Sequence, residues 1–241
     1  MHASNIPTAG APRPVPSPAG YQLARKRQTA PVWLALLLAV LGAFMPQTAS
    51  ALTLAALGDS LTAGWNLPAA DAYPAKLAKA LAARGYAVDI LNFGISGDTT
   101  AGGLARLDAV LAAKPAGVIL ELGANDMLRG MPTAVPRDNL DAILARLKAA
   151  GIPVLLCGIQ AMRNYGAAYA RELDAVYAEL AKKYDAVLYP SFLDGVTGVP
   201  GLTMPDGLHP TAAGVDEMVR RSLPVVETFL SRLGVRPAGA S

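Results

Sequence analysis

The chain has 241 residues, 53% of them hydrophobic and 16% charged, a balance that places it with globular proteins and excludes a disordered one. Its formal net charge of +3 belongs to the first 51 residues, which hold Arg13, Arg25, Lys26 and Arg27 and no acid, so the remainder stands at −1. That remainder gives no reason to expect nucleic acid or anionic lipid as a partner, and a single cysteine excludes an intrachain disulfide.

The N-terminal stretch reads as an export signal. Arg25, Lys26 and Arg27 precede an apolar run over 32–44 that ends in Ala49-Ser50-Ala51, the basic, apolar and small-residue order of a cleavable leader. The run is short of the roughly 20 residues that span a bilayer as a helix. The 24 residues before Arg25 are long and Pro-rich for such a leader. The expected division is a signal peptide over 1–51 with a Pro-rich n-region and one domain over 52–241, periplasmic or secreted, monomeric, with no stable membrane anchor after cleavage.

Beyond the leader, five short apolar runs (52–57, 87–91, 117–122, 153–157 and 186–189) alternate with Ala/Leu-rich stretches charged at helical spacing (73–84, 100–113, 137–150, 167–184 and 211–233). Gly85 and Gly151 follow last turns and Pro74 sits in a first turn, as helix boundaries require. Such alternation predicts a parallel sheet whose strands are buried on both faces, hence a three-layer α/β/α domain with right-handed crossovers. Cys157, inside the fourth apolar run, reads as a small buried hydrophobe.

Polar motifs come directly after these strands, where open α/β sheets bind their ligands. Gly58-Asp59-Ser60-Leu61 follows the first, Ser96-Gly97-Asp98-Thr99 the second and Gly123-Ala124-Asn125-Asp126 the third. Asp206-Gly207-Leu208-His209 lies between the fifth strand and the last helix, so all four should converge on one rim.

With His2 removed alongside the leader, His209 is the one imidazole left, and so the simplest general base near neutral pH. One His and one Cys exclude a zinc site built on several such ligands. Asp206, three residues earlier in a loop stiffened by Pro205 and Pro210, can fold back onto the ring and fix its tautomer; the plainer reading is an Asx-turn residue. Ser60 stands at a strand end as the candidate nucleophile, with a helix N-cap as the plainer reading. Neither Ser60 nor Ser96 fits a G-x-S-x-G elbow, which excludes that hydrolase class. The Ser60 and Gly97 amides and the Asn125 side chain are candidate oxyanion donors, against turn glycine and loop asparagine.

Taken in order, Gly58-Asp59-Ser60-Leu61, Gly97, Gly123-Ala124-Asn125-Asp126 and Asp206-x-x-His209 resemble the four blocks of the SGNH, or GDSL, hydrolases, whose letters would be Ser60, Gly97, Asn125 and His209. The similarity covers nearly all of 52–233, and 92–130 resembles the bacterial branch acting as thioesterase, arylesterase and lysophospholipase. It implies a flavodoxin-like five-stranded sheet, a Ser60-His209-Asp206 mechanism through an acyl-enzyme on esters or thioesters, and no cofactor. Ala124 departs from the branch, where a second Gly is ordinary.

Met127, Leu128 and Met131, with Ile159, Met162 and Leu208, are expected to line an acyl groove; methionines suit a pocket accepting several shapes. Arg129 or Arg163 would meet an anionic leaving group or sit as a surface charge. Three other readings are open: a carbohydrate acetylesterase on the same fold, a non-catalytic flavodoxin-like binding module gripping phosphate or flavin at Ser60-x-Thr62-x-Gly64, and a silent SGNH-like assembly module.

Overall fold

A computed structural model describes residues 51–161 and 165–239; the expected leader up to residue 50, Met162 and Arg163 lie outside the described residues. The five expected strands are present as β1 (Leu52–Gly58), β2 (Val88–Gly94), β3 (Gly117–Glu121), β4 (Val154–Cys157) and β5 (Val187–Tyr189). All neighbours run parallel, in the order β2-β1-β3-β4-β5.

The helices are α1 (Ser60–Ala63), α2 (Tyr73–Ala83), α3 (Thr100–Ala105), α4 (Leu107–Ala112), α5 (Ala124–Leu128), α6 (Ala134–Ala149), α7 (Gly166–Tyr184) and α8 (Ala212–Arg232). α2 and α8 pack together on one face of the sheet, while α3, α6 and α7 adjoin one another on the other. Three of them turn a row at helical spacing inward: Tyr73, Leu77 and Leu81 on α2, Leu140, Ile143, Leu144 and Leu147 on α6, and Leu173, Val176, Tyr177 and Leu180 on α7 are all buried. These rows close over Leu54, Leu57, Ile119, Leu120 and Leu156 of the sheet.

Three expectations need correction. β2 is not covered on both faces: it is an edge strand, and Leu91 at its middle and Ile95 just beyond its end are 40% and 51% exposed. The helix expected over 100–113 breaks at Arg106, which leaves helical geometry (φ −106°, ψ 10°) to reach the sheet. Its Nε donates to Asp98 Oδ2 at 2.6 Å, Nη1 to the Phe93 carbonyl at 2.6 Å and Nη2 to the Gly58 carbonyl at 2.8 Å, so one guanidinium ties the ends of β1 and β2. Finally, α6 starts three residues before its expected position, because Pro136 in a first turn lacks only an N–H that has no intrahelical partner.

The strand order reverses direction at β1, with β2 on one side and β3 on the other. The crevice beyond the carboxyl ends of β1 and β3 is the place where this architecture leaves room for a ligand.

Candidate active site

Ser60 is the first residue of α1, two residues beyond the end of β1. The capping role open to it in the sequence falls to Asp59, whose Oδ1 accepts the Leu61 N–H at 2.9 Å. Such a short helix sits almost on top of the strand ends, and that requires glycine beneath it. A Cβ on Gly58 would lie 2.0 Å from Thr62 Oγ1 and 2.7 Å from Glu121 Oε2, and one on Gly94, the register partner of Gly58, 2.3 Å from the Ala63 nitrogen.

His209 reaches this hydroxyl from a separate loop. Its Nε2 lies 2.9 Å from Ser60 Oγ, and its Nδ1 2.7 Å from Asp206 Oδ2. Asp206 is held by more than the ring: Oδ1 accepts the backbone N–H groups of Leu208 and His209 at 2.9 and 3.0 Å. These two amides, and then the imidazole, draw its carboxyl down to about 2. An ionised Asp206 accepts a hydrogen bond from the Nδ1–H, which leaves the Nε2 lone pair facing the serine. The loop is shaped by Gly207 at φ +73° and by backbone bonds from Met204 N to His209 O and from Gly207 N to Met204 O. Trp65 stacks on the imidazole with ring centroids 4.3 Å apart.

Opposite this arm lies a buried floor. Asn125 Nδ2 donates to Asp59 Oδ2 at 3.0 Å, leaving its second N–H unengaged by that bond. Burial pushes the Asp59 carboxyl up to about 6, against the pull of the Leu61 amide, and pushes the neighbouring Glu121 carboxyl well above the usual range. Asp126, next to Asn125 and fully buried, accepts the Thr100 N–H at 2.9 Å and the Thr100 hydroxyl at 2.6 Å, which docks α5 onto α3. Gly97 sits at φ +82° beyond β2, and the exposed Arg129 donates to its carbonyl at 2.9 Å.

A family model described as GDSL-like lipase/acylhydrolase matches residues 56–216. The chain belongs to this family. Esterase TesA of Pseudomonas aeruginosa is 43% identical over 187 residues, covering 77% of this chain and 93% of that protein. Thioesterase 1/protease 1/lysophospholipase L1 of Escherichia coli is 41% identical over 165 residues, 68% of this chain and 78% of that one. The crystal structure of AlinE4, an SGNH-hydrolase family esterase, superposes with a TM-score of 0.64 at 46% identity, covering 76% of this chain and 98% of the other.

In this GDSL-family chain the hydrogen-bonded row opens into a cavity of about 360 Å³. Ser60, Gly97, Asn125 and His209 all line it, as do the expected Met127, Leu128, Ile159 and Leu208. Ser96, the competing hydroxyl, also reaches the cavity. Met131 does not; its backbone carbonyl, beyond the end of α5, accepts the Tyr169 hydroxyl at 3.0 Å. The segment 127–132, expected as loop, begins inside α5. Trp65, Leu193 and Thr197 complete walls that the motifs do not reveal, because an aromatic five residues after a serine and a loop more than 130 residues away carry no signature of their own. Arg129, offered as an anion contact or a surface charge, is exposed and donates to the Gly97 carbonyl. Among the described residues no cluster of three or more His, Cys, Asp or Glu side chains is placed to hold a metal ion.

Proposed function

We propose that the chain hydrolyses carboxylic esters and thioesters through an acyl-enzyme on Ser60, with His209 as general base and acid and Asp206 as its orienting carboxylate. The observation that carries this reading is the continuous row from Ser60 Oγ through both ring nitrogens of His209 to Asp206, at 2.9 and 2.7 Å.

As Ser60 Oγ bonds to the acyl carbon, His209 Nε2 takes its proton and the carbonyl electron pair moves onto oxygen. The amides of Ser60 and Gly97 and the free Asn125 N–H receive that negative charge. Collapse breaks the bond to the alkoxide or thiolate, which leaves with the proton from His209. Water then repeats the sequence: His209 takes its proton, oxygen attacks the acyl carbon, and the carboxylic acid departs as Ser60 recovers its hydrogen. Asp206 stays ionised throughout, which matches a carboxyl drawn down to about 2.

The acyl chain would lie against Leu61, Met127, Leu128, Ile159 and Leu193, a lining more apolar than an acetyl group needs. This favours fatty acyl esters and thioesters over carbohydrate acetates. We also infer that residues 1–51 act as an export leader, giving a periplasmic or secreted monomer whose described residues include no helix long and apolar enough to cross a membrane. Ser60→Ala is expected to abolish p-nitrophenyl octanoate hydrolysis and labelling by a fluorophosphonate. Parent-like turnover in that variant would remove Ser60 from the mechanism, and faster turnover of acetate than octanoate by the parent would turn the substrate reading toward an acetylesterase.

A further inference from the structure

Beneath the nucleophile lies a carboxyl group that the mechanism above leaves without a task. Glu121 ends β3 and is fully buried. Its Oε2 accepts the Thr62 hydroxyl at 2.7 Å and the Asp59 N–H at 3.3 Å, while Oε1 has no partner among the described residues. Two of the residues flanking Ser60 are thus fastened to one side chain from another strand. The chain makes room for it, because the missing Cβ of Gly58 is the space that Glu121 Oε2 and Thr62 occupy.

We propose that Glu121 is a positioning residue that acts as an uncharged carboxylic acid, fixing Thr62 and the Asp59 amide so that Ser60 and Asn125 are held in register with the reacting carbonyl. The proposal rests on the reading of Ser60 as the nucleophile. Its physical basis is a chain of contacts: Glu121 holds the Asp59 backbone, the Asp59 carboxylate holds Asn125 Nδ2, and Asn125 is left with one N–H to aim at the oxyanion.

The charge state follows from the surroundings. Among the described residues no Lys or Arg pairs with Glu121 or Asp59, and the titratable groups facing Glu121 are the Asp59 carboxyl, the Cys157 thiol on β4 and the Tyr177 hydroxyl on α7. The last two are pushed up by burial, so they remain neutral when Glu121 does. A second anion here would sit beside Asp59 and under the site where the oxyanion develops, opposing the charge that Asn125 must accept. One proton kept on Glu121 removes that conflict.

Steady-state kinetics on an ester the parent turns over, with fluorophosphonate labelling run beside it, test the idea. Glu121→Ala is expected to lower kcat by about tenfold or more with KM within about twofold, since the loss concerns donors that work in the transition state. Glu121→Gln, which keeps the shape and a neutral acceptor for Thr62, is expected to recover at least about a third of the parent kcat and to lose the alkaline fall in kcat that ionisation of Glu121 causes in the parent. If removal of the side chain prevents folding, Thr62→Val carries the test, with an expected kcat loss of about threefold to tenfold at unchanged KM. Parent-like kcat in Glu121→Ala or Thr62→Val, or a folded Glu121→Gln as poor as the Ala variant, would overturn the proposal. A parent that neither labels nor turns over any ester would instead sink the nucleophile reading itself.

Discussion

The two halves of the site are built on opposite principles. The arm, Asp206 and His209, comes from one short loop whose bonds span two or three residues and whose carboxylate is partly open to solvent. The floor, Asp59, Glu121 and Asn125, joins residues 62 and 66 positions apart beneath the nucleophile, where Asp59 and Glu121 are fully buried. Local sequence holds the arm, and sheet topology holds the floor. Chemistry that needs an ionised carboxylate is placed where water and amides stabilise charge, and donors that must not wander are anchored on strand ends.

The sharpest break of the arm is Asp206→Asn. The amide would present an N–H to Nδ1 and force the wrong tautomer, so kcat should fall by about 10⁴-fold, the size of loss expected when a triad carboxylate is neutralised. Circular dichroism should show the fold intact, because the substitution leaves the core untouched. A loss below about tenfold would mean that the backbone of the loop, rather than the carboxylate, orients the ring. Breaking the floor should cost less. Asn125→Ala removes one of three donors and is expected to lower kcat by about 100- to 1000-fold with little change in KM, read from initial rates on the same ester. A rise in KM of that size with kcat unchanged would show that Asn125 binds the ground-state carbonyl as strongly as the oxyanion.

This division also explains what could be read before the fold was known. The arm was legible because its whole geometry is contained in Asp206-x-x-His209 and in the scarcity of imidazole. The sheet was legible because buried parallel strands leave uninterrupted apolar runs, and β2, the strand that strayed most from its expected end, is the one exposed at the edge. The floor was only half legible. Asn125 stood out within its motif, but Glu121 looks like the polar end of an apolar run, and nothing local shows that Thr62 and the Asp59 amide converge on it. Arg106 was hidden in the same way: read by periodicity it belongs on a helix, and only the three carbonyl and carboxylate oxygens around it show why the helix stops there.

The comparison has a thermodynamic side, which gives the smallest predicted effect. Asp206 is drawn below its ordinary value of 3.8 to about 2, so its contribution to stability is present above about pH 4 and lost as pH falls through about 2. Asp59 is shifted the other way, from 3.8 to about 6 by burial, so its contribution is present below about pH 4 and lost as pH rises through about 6. Asn at position 59 cannot ionise and escapes that loss. The Tm of Asp59→Asn relative to the parent should therefore climb by roughly a few degrees between about pH 4 and about pH 7, a shift of the order that one or two kcal/mol produces in a domain of this size. Asp206→Asn, measured by the same thermal melts, should move oppositely and lose ground to the parent as pH rises from about 2 to about 4. If both differences ran in the same direction, the solvation contrast between arm and floor would not be what separates their charges.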